Sequence, residues 1–200
     1  DETWDEFLER FIGATEALII GDPRSPSTDV GPVIDEDAAA MIRQRIEAAK
    51  QEDQLVLGME LPEEGLMPGR SYIAPHVFVT DDPKSKLMQE EIFGPVLGLI
   101  RARDFEHALE LANDGRYRLT GGVYSRKPAH LTQARREFRV GNLYLNRSIT
   151  GAIVGRQPFG GAGMSGVGSK AGGRDYLLQF VEPRVITENT MRRGFAPGLG

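Results

Sequence analysis

The order of apolar segments in this 200-residue chain predicts an α/β fold with a largely parallel sheet and flanking helices. Short apolar runs of strand length alternate with segments of about 10–15 residues in which apolar side chains recur at helical spacing. Stretches rich in Gly, Pro, Asn and Asp separate these segments, as expected of turns.

The first predicted helix begins close to Asp1. Thr3 and Glu6 have the spacing of a capping box, in which the hydroxyl and the carboxylate pair with the first free amides. Apolar residues then recur at helical spacing, at Trp4, Phe7, Leu8, Phe11, Ile12, Leu18 and Ile19. Such a stripe needs a partner surface, so a chain cut from a longer protein is favoured over a trimmed N-terminus.

A second helix is predicted to begin at Asp35, after the turn-rich segment 21–32. Its inward residues are expected to be Ala38, Met41, Ile42, Ile46 and Ala49. Three strands should follow: a short buried one at 55–57, one at 72–79 and one at 96–100. Pro75 cannot donate a ladder hydrogen bond, so the middle strand is expected to be bulged or at an edge.

The alternation continues to residue 146 and then changes. Asp104 is predicted to cap a helix that ends at 113–115 and presents Phe105, Ala108, Leu109 and Ala112. A strand containing Val123 and Tyr124 leads to a helix with Pro128 in its first turn and apolar residues at Leu131, Ala134 and Phe138. A strand at 143–145 follows, then a Gly-rich loop, a short helical patch at 175–178, a strand at 181–187 and a frayed tail at 194–200.

Composition excludes several classes of protein. The chain has 24 basic and 29 acidic residues, a net charge of -5, which argues against a nucleic-acid partner. No apolar run approaches the roughly 18 residues of a membrane span, so a cytoplasmic location without a membrane partner is expected. The chain has no cysteine, which removes disulfides, thiolate metal sites and a cysteine nucleophile, and its three histidines are too scattered for a metal site.

Two segments are candidates for ligand binding: a Gly-rich one and one that contains two adjacent glutamates. Residues 161–166 match G-x-G-x-x-G, but they follow no buried strand, so a structural Gly-rich loop is favoured over a phosphate site. Glu90 and Glu91 precede an aromatic residue, a Gly-Pro turn and a strand. A carboxylate at such a sheet edge can accept hydrogen bonds from a ribose or sugar, although a solvated acid pair is the alternative.

The loop 151–161 is a candidate substrate site. Gly151 and Ala152 are small, which leaves backbone amides open to a carboxylate, and Phe159 is suited to line an apolar slot. A surface loop with a buried Phe is the alternative. Arg147 precedes the loop, Arg156 lies within it, and both are interpreted as solvated surface charges.

Together these motifs resemble the C-terminal half of NAD-dependent aldehyde dehydrogenases. Residues 91–95 (Glu-Ile-Phe-Gly-Pro) are similar to the nicotinamide-ribose motif of that superfamily, and Pro158–Gly161 with Ser165-Gly166 to its substrate-side loop. The stretches 150–155, 157–161 and 168–173 most closely resemble the 1-pyrroline-5-carboxylate dehydrogenase family, also called L-glutamate γ-semialdehyde dehydrogenases. Segments 4–7 and 27–33 also look like segments of this family.

The resemblance implies a fold, a reaction and site residues. It implies an open twisted sheet with a C-terminal oligomerisation strand, a partial catalytic domain at 1–178, and an oligomerisation strand and tail at 179–200. In this family a cysteine thiolate attacks the aldehyde, hydride passes to NAD, and the thioester is hydrolysed to L-glutamate in proline degradation. By motif match, Glu91 and Phe93 would bind the cofactor NAD, the Gly151 and Ala152 amides the substrate carboxylate, and Phe159 the aldehyde end.

The chain departs from the family by lacking its nucleophilic cysteine, so in isolation it is expected to be inactive. The resemblance also implies a homo-oligomer that forms through the C-terminal strand. A dehydrogenase for another acid semialdehyde and a non-catalytic oligomerisation module remain as alternatives. The sequence also leaves open NAD against NADP, the size of the oligomer, and a stand-alone enzyme against part of a bifunctional one.

Overall fold

The computed structural model describes residues 3–167 and 169–190. The helices are α1 (Trp4–Glu16), α2 (Glu36–Glu52), α3 (Lys86–Gln89), α4 (Phe105–Asn113) and α5 (Pro128–Glu137), followed by a 3-10 helix at Arg174–Phe180. The strands are β1 (Gln54–Gly58), β2 (His76–Val79), β3 (Val96–Leu99), β4 (Tyr117–Arg118), β5 (Thr120–Val123), β6 (Asn142–Leu145) and β7 (Ala162–Gly163). Mixed helices and strands agree with the predicted α/β class. The tail at 194–200 and Gly168 of the motif 168–173 lie outside the described residues.

The strands form three small sheets. The first has the order β1-β2-β3, with β1 antiparallel and β3 parallel to β2. In the other two, β5 pairs parallel with β6, and β4 pairs antiparallel with β7. The single open, largely parallel sheet that we predicted is therefore not formed within the described residues. A parallel pair needs a crossover, which α5 supplies between β5 and β6, whereas the β1–β2 connection returns the chain antiparallel.

Two strand predictions are corrected by the first sheet. The strand at 55–57 was expected to be buried, but β1 is an edge strand and Leu55 is 39% exposed. Pro75 precedes β2 instead of interrupting it, and β2 lies at the centre of the sheet. The irregularity falls in β1, between Leu55 and Leu57.

The main core lies between α2 and β2. Asp35 starts α2 as predicted, because its carboxylate accepts a 2.8 Å hydrogen bond from the Ala38 amide. The buried face of the helix is shifted slightly from the prediction, since Met41 is exposed and Ala39 is buried. The buried members of this core are Ala39, Ile42, Ile46, Ala49, Ile73 and Phe78. This packing fixes the position of the α2 surface on which the segment before β3 rests.

The predicted capping box of α1 is wrong. The Thr3 side chain makes no capping hydrogen bond, and Glu6 instead forms a 2.5 Å ion pair with Arg10, one turn further along the exposed face. The helix ends at Glu16, so Leu18 and Ile19 do not belong to its apolar stripe.

The predicted helices in the second half of the chain are present. Asp104 caps α4 through a 2.8 Å bond from the His107 amide, and Pro128 occupies the first turn of α5. Leu109 and Ala134 are the buried residues of these two helices. Tyr124 lies just beyond β5 and is exposed, whereas the prediction placed it in the strand.

The C-terminal strand predicted at 181–187 is not formed. All of these residues are exposed, and Val185 is 89% exposed. A strand is defined by a hydrogen-bonded ladder with a partner, and none of the strands described above pairs with this segment. No helix in the described part of the chain is long and apolar enough to cross a bilayer.

Candidate functional site

The segment before β3 presents a free carboxylate and an exposed aromatic ring. Glu91 is exposed, and its side chain makes no hydrogen bond or ion pair within residues 3–167 and 169–190. Phe93 is 81% exposed and has φ 57°, in the left-handed region that costs a non-glycine residue roughly 1–3 kcal/mol. Exposed side chains on strained backbone are typical of binding sites.

Adjacent contacts fix this segment against α2. Glu90 forms a 2.5 Å ion pair with Arg45 of α2, so the two neighbouring glutamates differ in their availability. A Cβ atom on Gly94 would lie 2.7 Å from Cδ1 of Ile42, so a larger residue would force the Ile42 side chain to shift. Because Ile42 is fully buried, this close approach holds the segment on a rigid surface.

The loop that follows β6 is organised by two long side chains. The Arg147 guanidinium donates from Nη2 to the Thr150 carbonyl at 3.0 Å and from Nε to the Ser148 carbonyl at 3.3 Å. With its amide oriented to satisfy both partners, Gln157 accepts from Nη1 of Arg147 and donates to the Gly151 carbonyl, each at 2.8 Å. Gly151 has φ +86°, a left-handed conformation that glycine adopts without strain.

The amides at the start of this loop are free to bind a ligand. Gly151 and Ala152 are both exposed, and neither amide donates a hydrogen bond to an acceptor in the described residues. Two successive free amides can form a small concavity that binds an anion. This arrangement is compatible with the predicted carboxylate site.

Phe159 is half-buried and is held through its backbone on both sides. It forms an isolated bridge with Ala171, in which each residue donates to the other at 2.9 Å. The side-chain amide of Asn142 donates to the Pro158 carbonyl at 2.9 Å, and its oxygen accepts from the Gly160 backbone N–H at 3.1 Å. Lys170 donates to the Gly160 carbonyl as well, so the segment is anchored at three points.

The G-x-G-x-x-G match at 161–166 packs tightly against its own backbone. A Cβ on Gly161 would lie 2.2 Å from the Ser165 carbonyl oxygen, and the Ser165 hydroxyl accepts a 3.0 Å bond from the Arg118 amide of β4. Residues 162 and 163 of the match form β7, which pairs with β4, and no helix follows directly among the described residues. This packing agrees with the structural role favoured from the sequence.

The two candidate regions have separate supports. Residues 90–94 rest on α2, whereas the loop 147–160 is tied to β6 and to the segment around Ala171. Among the described residues, no hydrogen bond joins Glu91 or Phe93 to Gly151, Ala152 or Phe159. Elsewhere in the fold, hydrogen bonds from Arg24 lower the pKa of Asp22, and hydrogen bonds from Ser71 and Arg43 lower the pKa of Glu36.

Sequence reasoning missed the residues that support the loop. Arg147 was interpreted as a solvated charge, and Asn142 and Lys170 had no assigned role. Their partners lie up to 18 residues away along the chain, beyond the reach of local patterns. The only signal in the sequence is that Arg147 and Gln157 stand on either side of the small pair that begins at Gly151.

The chain as a whole resembles known enzymes. Residues 1–186 match the sequence model of the aldehyde dehydrogenase family. The chain belongs to the aldehyde dehydrogenase family. It is 50% identical over 188 residues to 1-pyrroline-5-carboxylate dehydrogenase of Geobacillus kaustophilus, and the match covers 94% of this chain and 36% of that protein. The chain therefore spans about a third of the length of the curated relatives it matches.

Two solved structures show the same fold. The chain superimposes on 1-pyrroline-5-carboxylate dehydrogenase from Thermus with bound NAD at a TM-score of 0.81 and 51% identity, covering 90% of this chain and 34% of that one. It superimposes on proline utilization A from Bdellovibrio bacteriovorus at a TM-score of 0.86 and 45% identity, covering 98% of this chain and 20% of that one. The family resemblance predicted from the sequence is confirmed.

Proposed function

We propose that this chain is the C-terminal, positioning part of an NAD-dependent 1-pyrroline-5-carboxylate dehydrogenase, which oxidises L-glutamate γ-semialdehyde to L-glutamate in proline degradation. The observation that carries the proposal is the pair of free amides at Gly151 and Ala152, in a chain half identical to enzymes of that name. We expect such an enzyme to be cytoplasmic.

The loop after β6 is proposed to bind the substrate. The amides of Gly151 and Ala152 donate to the α-carboxylate, which orients the semialdehyde without a charged side chain. The Phe159 ring then lines the slot for the aldehyde end, on a backbone held by Asn142 and Ala171. Holding the carboxylate in this way contributes binding energy and sets the direction in which the aldehyde end points.

The segment before β3 is proposed to hold the cofactor, and its residues fit a dinucleotide. Glu91 is an exposed carboxylate without a partner in the described residues, suited to accept hydrogen bonds from the two ribose hydroxyls. Phe93 offers an exposed ring for packing against the nicotinamide. When bound, NAD supplies the hydride acceptor, while these residues orient it and Gly94 keeps the segment on α2.

The nucleophile is proposed to lie on a part of the protein not contained in this chain, which has no cysteine. Residues 1–178 would form part of the catalytic domain, and residues 179–200 an oligomerisation strand and tail. Exposed Val181, Val185 and Ile186 suit a strand that pairs with another subunit. In the complete protein the parallel pairs β2–β3 and β5–β6 would belong to one open twisted sheet.

The test is a chimera in which the residues preceding the matched segment in the Geobacillus kaustophilus enzyme are joined to this chain. NADH formation is measured with 1-pyrroline-5-carboxylate, with a second acid semialdehyde and with an uncharged aldehyde of similar length. We expect a clear preference for 1-pyrroline-5-carboxylate, and no turnover by the 200-residue chain alone.

Other outcomes separate the alternatives. A preference for the second acid semialdehyde would reassign the substrate, and activity only on the uncharged aldehyde would overturn the carboxylate site. A folded chimera that associates in light scattering but binds neither NAD nor L-glutamate would indicate a non-catalytic oligomerisation module.

A further inference from the structure

We propose that Arg147 and Gln157 are positioning residues that turn the amides of Gly151 and Ala152 toward the substrate carboxylate. The inference rests on the proposed function of this loop. It assigns a role to two side chains that are not themselves proposed to contact the substrate. It follows from which peptide groups their hydrogen bonds hold.

Arg147 controls the first of the two peptide groups. Its Nη2 donates to the Thr150 carbonyl at 3.0 Å, and that carbonyl shares one planar peptide unit with the Gly151 amide. In a trans peptide the C=O and N–H point in opposite directions, so a carbonyl held by Arg147 turns the Gly151 N–H away from the guanidinium.

Gln157 controls the second group by the same rule. Its side-chain amide donates to the Gly151 carbonyl at 2.8 Å, and this carbonyl shares a peptide unit with the Ala152 amide. The two side chains therefore hold the two carbonyls whose partner amides are free. Gly151, at φ +86°, supplies the backbone turn between the two units.

The two side chains act as one unit fixed to the protein core. Gln157 accepts from Nη1 of Arg147 at 2.8 Å, so each holds the other in place. The Arg147 guanidinium carbon lies 5.0 Å from the centroid of the buried Tyr144 ring in β6, within the range of a cation–π contact. The backbone N–H of Gln157 also donates to the Ile153 carbonyl at 2.6 Å, which closes the turn between these two residues.

The geometry distinguishes positioning from simple charge attraction. The guanidinium uses Nε, Nη1 and Nη2 on protein acceptors, and a lysine ammonium cannot reproduce this planar fork. If Arg147 only attracts the carboxylate, Arg147→Lys will keep the function. If Arg147 sets the peptide groups, Arg147→Lys will lose it.

The experiment uses the active chimera with Arg147→Lys, Gln157→Met and the matched control Arg156→Gln. Arg156 lies in the same loop, and its side chain makes no hydrogen bond within the described residues. For the first two variants we expect KM for 1-pyrroline-5-carboxylate to rise about tenfold, as for a lost hydrogen bond, with kcat nearly unchanged. KM for NAD and activity on an uncharged aldehyde should stay at the parent values, as should every constant of Arg156→Gln.

A readout independent of turnover is L-glutamate binding without NAD, measured by calorimetry, where the dissociation constant should rise by a similar factor. Thermal unfolding verifies that each variant is folded. Parent-like KM and L-glutamate affinity in a folded Arg147→Lys would overturn the inference. Failure of the parent chimera on 1-pyrroline-5-carboxylate would instead reject the proposed function, so the two failures are distinguishable.

Discussion

Asn142 holds Phe159 from both sides by bonding to the residues on either side of it. Its side-chain amide donates to the Pro158 carbonyl at 2.9 Å and accepts from the Gly160 amide at 3.1 Å. Because Asn142 is the first residue of β6, the backbone at Phe159 is fixed relative to a strand. The proposed aldehyde slot thus has its wall attached to the sheet by one side chain.

Removing that side chain should therefore affect both stability and substrate binding. Asn142→Ala leaves the Pro158 carbonyl and the Gly160 amide of the half-buried loop without a partner, which is expected to cost about 1–3 kcal/mol in the free energy of unfolding. KM for the semialdehyde should rise in the chimera. Denaturant unfolding of the chain and steady-state kinetics of the chimera measure the two effects.

A matched surface change provides the control for Asn142. Gln44 lies on the exposed face of α2, and Gln44→Ala should change the free energy of unfolding by less than about 0.5 kcal/mol. Equal unfolding curves for Asn142→Ala and Gln44→Ala would show that the hydrogen bonds around Phe159 contribute nothing to the stability of the chain.

The helices were predictable from the sequence because their signals are local. Asp35 and Asp104 each cap a helix as expected, since a cap depends on an amide three residues away. The capping box at Thr3 is not formed: the Thr3 side chain makes no capping hydrogen bond, and Glu6 pairs with Arg10, one turn away. Such pairing between neighbouring side chains is not visible in the spacing alone.

Sheet organisation and loop supports depend on contacts distant in sequence and were less predictable. Residues 55–57 lie in an edge strand because β1 pairs on one side only, with β2, about 20 residues later in the chain. Candidate residues Glu91, Phe93, Gly151, Ala152 and Phe159 were found from motifs and remain predictions. Their supports, Asn142 and Arg147, could be found only from the three-dimensional arrangement.

Glu91 and Glu90 provide an internal comparison for cofactor binding. Glu91→Gln should weaken NAD binding in the chimera by roughly 1.5–3 kcal/mol, because charge-assisted acceptance from the ribose hydroxyls is lost. Glu90 is occupied by Arg45, and Glu90→Gln should leave NAD affinity unchanged while losing an exposed ion pair worth about 0.2–1 kcal/mol. Calorimetric titration with NAD compares them, and equal affinities of the two variants would count against a role for Glu91.

Phe93 and Phe159 should give opposite kinetic patterns. Phe159→Ala is expected to raise KM for the semialdehyde with little effect on NAD, because it removes the wall of the substrate slot. Phe93→Ala should raise KM for NAD and leave KM for the semialdehyde near the parent value. Steady-state kinetics with each substrate varied in turn measures both. The assignment is wrong if both variants alter the same constant.

Glu36 links the start of α2 to the segment before β2 and should make stability depend on pH. Its carboxylate accepts a 2.6 Å bond from the Ser71 hydroxyl and pairs with Arg43, which lowers its pKa from the ordinary value of 4.5. Because the folded-state pKa lies below the unfolded one, the stabilisation is present above pH 4.5 and is lost as the pH falls through the folded value.

The comparison that isolates this effect is the parent chain against Ser71→Ala. Removing the hydroxyl, the largest cause of the shift, should move the Glu36 pKa upward in an NMR titration. The stability difference between the two chains should shrink in acid. A difference that stays constant from neutral to acidic pH would show that the bond has no link to protonation.

Gly141 sits where the loop backbone passes closest to the start of β6, so a methyl group there should be poorly tolerated. A Cβ would lie 2.0 Å from the Gly160 carbonyl oxygen and 2.7 Å from Cα of Gly161. Neither backbone atom can move without disturbing the Asn142 bonds, so Gly141→Ala should destabilise the chain by about 1–3 kcal/mol or more. Gly13→Ala, in α1 with nothing within 4 Å of the added atom, should instead stabilise it by about 0.5–1 kcal/mol. Denaturant unfolding of both variants measures this opposite sign, and a neutral Gly141→Ala would mean that the loop can withdraw from β6 without cost.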